Sequence, residues 1–180
     1  MSSAQPPVEV FISEERLRAR VAELGRQIRA DHADKPLTLV GVLKGSFVFL
    51  ADLARAIDLP MEIEFIGASS YEGSATTGEV RITRDLSRPV EGRHVVLVED
   101  ILDTGLTLKY LLKNLASRRP KSLEVVALLS KEGKQRVPIQ CKYVGFYVAD
   151  EFVVGYGLDY AEKYRNLPYV GVLKPAIYAD

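Results

Sequence analysis

Val95-Val96-Leu97-Val98-Glu99-Asp100-Ile101-Leu102-Asp103-Thr104-Gly105-Leu106-Thr107 is the stretch that decides the fold. Four apolar residues run straight into two adjacent carboxylates, and three acids, one glycine and two threonines then fall within nine positions. Residues 94–98, apolar throughout from Val95, read as a strand buried on both faces. Residues 104–117 read as a helix, because Leu108, Leu111, Leu112 and Leu115 share one face. In open α/β sheets ligands bind at the carboxyl ends of the strands. A helix start adds unpaired N–H groups and a positive dipole end, where phosphate binds. Gly105 lets the backbone approach closely, and Thr104 and Thr107 add hydroxyls.

Outward from this stretch the pattern repeats. Ser13 precedes Glu14 and Glu15, and Leu17, Val21, Leu24 and Ile28 follow at helical spacing, which predicts a capped amphipathic helix. Residues 37–43 predict a buried strand, Lys44-Gly45-Ser46 interrupts it, and 47–57 resumes with helical spacing. Residues 61–66 alternate like a strand, 79–83 form another, and 123–129, 143–148 and 169–173 are apolar enough for three more. Strands alternating with helices predict an α/β domain with a mainly parallel central sheet. We expect one domain over 1–180, with 1–8 a loose tail. Residues 69–78 hold no large aliphatic side chain and two glycines, and are expected to form a mobile loop.

Composition narrows the function. The chain has 180 residues, 24 Lys plus Arg and 24 Asp plus Glu, so its formal charge is zero and no basic footprint for nucleic acid shows in the totals. The densest basic run, Arg118-Arg119-Pro120-Lys121, reads as a solvated helix end. No apolar run reaches the roughly 18 residues of a membrane span, and residues 1–7 lack the pattern of a secretory signal. One cysteine, Cys141, excludes an intramolecular disulfide framework. The cytoplasm is the expected compartment. His32 and His94, at a helix end and a strand start, are poor catalytic candidates.

An anion cradle beside carboxylates is contradictory until the ligand carries both phosphates and hydroxyls. Carboxylates accept hydrogen bonds from ribose hydroxyls and bind Mg²⁺. There is no P-loop and no dinucleotide-binding glycine fingerprint. The string Glu99-Asp100-x-x-Asp103-Thr104-Gly105-x-Thr107 resembles the phosphoribosyl-diphosphate signature of the type I phosphoribosyltransferases. Four further segments, in order, extend the likeness to the bacterial hypoxanthine-guanine branch of that family. Leu43-Lys44-Gly45-Ser46 resembles its first loop, and Ser70-Tyr71 the opening of its flexible second loop. Ser130-Lys131 resembles its base-recognition lysine, and residues 152–167 its C-terminal hood.

The resemblance implies the type I fold, a sheet flanked by helices under a small hood built from the N- and C-terminal segments. It implies transfer of ribose 5-phosphate from phosphoribosyl diphosphate to hypoxanthine or guanine, releasing diphosphate. Glu99 and Asp100 would then accept the ribose hydroxyls and hold Mg²⁺, with Asp159 a further contact to the metal or to the base edge. Asp103 would be the general base, unless it merely caps the following helix. Thr104, Gly105, Leu106 and Thr107 would cradle the 5-phosphate, although Leu106 stands where some relatives carry lysine. Lys44 and Gly45 would bind diphosphate, with a cis peptide before the lysine in many relatives. Lys131, with Lys134 as competitor, would select a 6-oxopurine, since it only donates. Phe152 would stack on the base, Val153 would present its backbone to the base edge, and Arg165 would bind diphosphate. Ser70 and Tyr71 would belong to a lid that excludes water. Relatives form dimers or tetramers, so a homodimer or homotetramer is expected. The rival readings are a xanthine-guanine transferase, an RNA-binding regulator on the same fold and a phospho-acceptor signalling domain.

Overall fold

A computed structural model of the chain describes residues 7–71 and 79–178. Its core is a six-stranded sheet in the order β4-β3-β2-β5-β6-β7. The strands are β2 (Leu37–Leu43), β3 (Met61–Tyr71), β4 (Glu79–Arg84), β5 (His94–Leu102), β6 (Ser122–Lys131) and β7 (Tyr143–Val148). All pair in parallel except β4, which runs antiparallel to β3. The predicted mainly parallel α/β sheet is the one observed.

The central strands carry near-continuous apolar runs because helices cover both faces. Val96 and Val98 of β5 point into a core shared with α1 (Glu14–His32) and α2 (Phe47–Ile57). Val95 and Leu97 point the other way, into a core shared with α3 (Leu106–Ala116). All four are fully buried, each contributing about 1.5–3 kcal/mol of hydrophobic stabilisation. Ser13 caps α1 by accepting from the Arg16 N–H at 3.3 Å. Leu17, Val21, Leu24 and Ile28 are buried as their spacing predicts, so this face of α1 belongs to the core and is not free for self-association.

The chain order reverses beside β2: β3 lies on one side of it and β5 on the other. Such a switch point opens a crevice at the carboxyl ends of the strands. The register shows how. β5 pairs with β2 only as far as Gly41 opposite Val98. It stays paired with β6 through Glu99, Ile101 and Leu102. Glu99 and Asp100 therefore lie on the strand itself and not in the loop after it, a correction to the predicted end at Val98. The helix beyond also starts later than predicted, at Leu106.

A second sheet, β1-β9-β8, joins the two ends of the chain. β1 (Val8–Ile12) and β8 (Val153–Val154) both pair antiparallel with β9 (Val170–Leu173). This is the expected hood. Val8 is buried opposite Leu173, so it is not part of a loose tail; five residues were too few to announce a strand without their partner. The expected loop at 69–78 is also corrected in part. Ser69, Ser70 and Tyr71 extend β3 by pairing with Arg81, Val80 and Glu79, because backbone ladder bonds need no aliphatic side chain. The rest of that expectation, residues 72–78, and the side chains of Ser70 and Tyr71 lie outside what is described.

The remaining polar outliers are structural. His94 Nδ1 lies 2.7 Å from Ser122 Oγ, and buried His32 lies 3.3 Å from Glu124; both stand at the amino ends of β5 and β6, away from the crevice. Arg118 pairs with Asp85 at 2.7 Å and Arg119 with Glu91 at 2.8 Å, so the two arginines of the basic run are locally neutralised. Cys141 is half-buried, and its thiol is pushed up to about 11 chiefly by that burial. No described helix is long and apolar enough to cross a membrane.

Candidate active site

The crevice is a cleft of about 330 Å³. Its floor is Glu99 and Asp100, one wall is 103–105 with Thr107, and the other is Lys44 and Gly45; Asp159 and Arg165 close it from the hood. A larger groove, about 680 Å³, runs between α1, α2 and residues 165–168, but it holds none of the signature acids.

Burial first, and the neighbouring Asp100 second, raise the Glu99 carboxyl well above its usual range. Burial likewise pushes Asp100 up to about 6, against hydrogen bonding from the Ile101 N–H at 2.8 Å. Glu99 Oε2 is buried with no hydrogen-bond partner, an arrangement that costs stability unless a ligand satisfies it. Gly45 and Gly157 let three segments meet here. A Cβ at 45 would lie 1.7 Å from Asp100 Oδ2, and one at 157, where φ is +101°, would lie 2.2 Å from the Gly45 carbonyl oxygen. The Leu43–Lys44 peptide is cis, as the resemblance implied.

α3 opens on Gly105 with φ +82° and no side-chain cap. Asp103 therefore does not cap it, and the first N–H groups of the helix are left for an anion. The closest substitute is Thr104 Oγ1, at 3.5 Å from the Leu106 N–H. Leu106 itself is exposed and does not line the cleft. Asp103 faces Lys131 Nζ at 3.6 Å. Lys131 also donates to Asp150 at 3.1 Å, and Lys134 pairs with the same carboxylate at 2.5 Å without reaching Asp103.

Two acids here were not singled out from the sequence. Asp150 holds both lysines. Glu162 bridges Lys44 at 2.8 Å and Arg165 at 3.2 Å. Arg165 also pairs with Asp159 at 3.1 Å and donates to the Gly157 carbonyl at 2.8 Å. Phe152 is exposed on the hood, stacked on Tyr178 with centroids 4.7 Å apart, and meets Tyr160 edge-on at 5.7 Å. Phe152, Val153 and Lys131 stand outside the acidic cleft, Lys131 reaching its edge through Asp103.

The phosphoribosyl transferase domain pattern matches residues 12–161. The chain belongs to the phosphoribosyl transferase family. It is 49% identical over 173 residues to the hypoxanthine-guanine phosphoribosyltransferase of Staphylococcus aureus, covering 96% of this chain and 97% of that one. It is equally similar to part of a Listeria innocua protein called bifunctional TilS/HprT, of which it spans 27%. A crystal structure of a hypoxanthine phosphoribosyltransferase from Staphylococcus aureus superimposes with TM-score 0.92 at 49% identity, covering 96% of this chain and 94% of that one. A ternary substrates complex of the Trypanosoma cruzi enzyme does so with TM-score 0.88 at 43% identity, covering 94% and 97%.

In this phosphoribosyl transferase the signature is divided between two kinds of support. Glu99 and Asp100 are fixed by a strand, whereas 103–107 turn away from it into the helix. Among the described residues no three carboxylates, histidines or cysteines gather as a metal cage. Asp159 is taken up by Arg165 and by the Glu162 N–H at 2.9 Å. The donor set that remains, two carboxylates with an unsatisfied oxygen, suits Mg²⁺, which keeps several waters and is shared with substrate phosphates.

Proposed function

We propose that this phosphoribosyl transferase salvages 6-oxopurines, moving ribose 5-phosphate from phosphoribosyl diphosphate onto hypoxanthine or guanine and releasing diphosphate. The observation that carries this is the Asp103–Lys131 pair, an acceptor and a donor 3.6 Å apart at the ends of β5 and β6. A 6-oxopurine presents its position-6 oxygen and N7 along one edge. Lys131 donates to the oxygen, and Asp103 takes the ring proton as the imidazole attacks. Adenine, with an amino group at position 6, gives Lys131 nothing to bind.

The other roles follow from charge. Carbon 1 of the ribose becomes cationic as diphosphate leaves, so the site must hold separated charges in place. The α3 start, with Thr104, Gly105, Leu106 and Thr107, holds the 5-phosphate through main-chain N–H groups. Lys44, Gly45 and Arg165 receive the diphosphate. Phe152 stacks on the base and Val153, in the edge strand of the hood, presents its backbone to it. Ser70 and Tyr71 open the lid that keeps water from the cation. Glu99 and Asp100 accept the ribose hydroxyls, and with Asp159 near them they would hold Mg²⁺, directly or through its waters. A metal held there would supply charge neutralisation for the departing diphosphate. We place the enzyme in the cytoplasm, as one domain that works as a homodimer or homotetramer.

The test is diphosphate release with hypoxanthine, guanine, xanthine and adenine, each with and without Mg²⁺. Release with hypoxanthine and guanine only, dependent on Mg²⁺, is expected. Activity with adenine would remove Lys131 from its role, and a dominant rate with xanthine would move the enzyme to the xanthine-guanine group. Sedimentation velocity measures the subunit number.

A further inference from the structure

We propose that Glu162 occupies the diphosphate-binding cations of the ligand-free enzyme and is displaced by incoming diphosphate, so that it sets how tightly that anion is held. The inference rests on Lys44 and Arg165 receiving diphosphate, as above. Among the described residues lining the cleft these are its only two cations, facing four acids: Glu99, Asp100, Asp103 and Asp159. Both are paired with one carboxylate, that of Glu162, and Arg165 with Asp159 as well. Glu162 Oε2 accepts from Lys44 Nζ at 2.8 Å, and Oε1 from Arg165 Nη2 at 3.2 Å. The Lys44 contact joins residues 118 apart in sequence, so no local helix or turn preference produces it.

The backbone aims Glu162 there. Ala161 and Glu162 adopt φ of +50° and +63°, a left-handed conformation that side chains with a Cβ disfavour. The Glu162 N–H donates to Asp159 Oδ2 at 2.9 Å, which ties this turn to a residue that itself lines the cleft and pairs with Arg165. Lys44 holds the Glu162 carboxyl below its usual range, chiefly by hydrogen bonding, so it is ionised at neutral pH. Yet the Glu162 and Lys44 side chains are each 65% exposed. Exposed ion pairs are weak, so the bridge keeps two cations neutralised without locking them. Diphosphate carries more charge than one carboxylate and replaces it; once diphosphate leaves, Glu162 returns and blocks rebinding. The cost appears as lower apparent affinity, because only the opened fraction is competent.

Titration calorimetry with inorganic diphosphate tests this on the full chain. Glu162→Gln is expected to tighten the diphosphate Kd about 3–10-fold at low salt, the range that one exposed pair with Lys44 and one half-buried pair with Arg165 allow, with the gap closing as salt screens the exposed pair. Glu162→Ala, which cannot hydrogen-bond Lys44 at all, is expected to tighten it at least as much. Unchanged or weaker binding by both variants, with melting temperature intact, overturns the proposal; so does a gain that persists undiminished in high salt. Lys44→Met separates this from the underlying reading. If that variant binds diphosphate as well as the native enzyme, the diphosphate site is misplaced and the role of Glu162 falls with it. If it binds less, and Glu162→Gln does not tighten binding, only the role of Glu162 fails.

Discussion

The sheet and the hood solve opposite problems. β5 is held by neighbours on both sides and helices on both faces, with Val95, Val96, Leu97 and Val98 all at 0% exposure. That rigidity lets it carry Glu99 and Asp100 into a place where ionised carboxylates are disfavoured. Among the described residues the hood has a small buried cluster of its own, Val8, Val154 and Leu173, while Ile12, Val153 and Val170 of the same strands join the main core; its cleft-facing turn uses left-handed residues at Tyr156, Ala161, Glu162 and Tyr164. It supplies Arg165 and polar contacts that can rearrange. The sheet stores unfavourable charge, and the hood carries Arg165, which is proposed to meet the incoming diphosphate.

Four measurements probe this difference between the sheet and the hood. The largest effect is expected at Asp103, where Asp103→Asn should lower turnover about 10²–10⁴-fold, the usual worth of a general base, without shifting the melting temperature. A full-rate variant would end the assignment. Next, the same deletion in the two layers should cost differently. Leu97→Ala should lose about 4–5 kcal/mol in urea unfolding, near the top of the range for such changes, because its tightly framed site cannot collapse. Leu173→Ala in the small hood cluster should lose nearer 2–3 kcal/mol; equal losses would mean the hood is as rigid as the sheet.

Third, Lys131→Met should raise KM for hypoxanthine about 10–100-fold, the worth of a charged hydrogen bond, and leave diphosphate binding unchanged. The smallest effect is a gain. Glu99 and Asp100 titrate higher in the folded chain than their usual range. Between those ordinary values and the raised ones, the folded state therefore binds more protons than the unfolded state, and stability of the ligand-free protein falls as pH rises. Above the raised values the penalty is complete. Glu99→Gln should lift stability at neutral pH by about 1–2 kcal/mol, the order of the cost of a buried polar atom left unsatisfied, and flatten the fall of stability with rising pH above the ordinary carboxylate range. It should also lose activity. A variant no more stable than the native chain would show that Glu99 is not under strain.

Much of the site was legible because its residues are consecutive. The run from Glu99 to Thr107 states its acids, hydroxyls and turn glycine in one line, and its place after an apolar strand put it at a sheet end. The pair proposed to recognise the base was only half visible: Lys131 followed a strand, but its approach to Asp103 depends on β5 and β6 being neighbours. Glu162 and Asp150 gave no signal, since an acid in a polar segment reads as a solvated surface residue. β1 was missed because a five-residue strand is stabilised by β9, which lies at the other end of the chain.

Sequence alone therefore determined what short-range physics controls: the apolar runs of the strands, the 3.6-residue stripe of α1, the cap at Ser13 and the glycine that starts α3. Tertiary structure decided where β2 leaves β5, so that Glu99 and Asp100 face open space while still on a strand. It also decided which cations meet which acids across more than a hundred residues. Those outcomes depend on packing between segments that have no preference for one another until the sheet places them side by side.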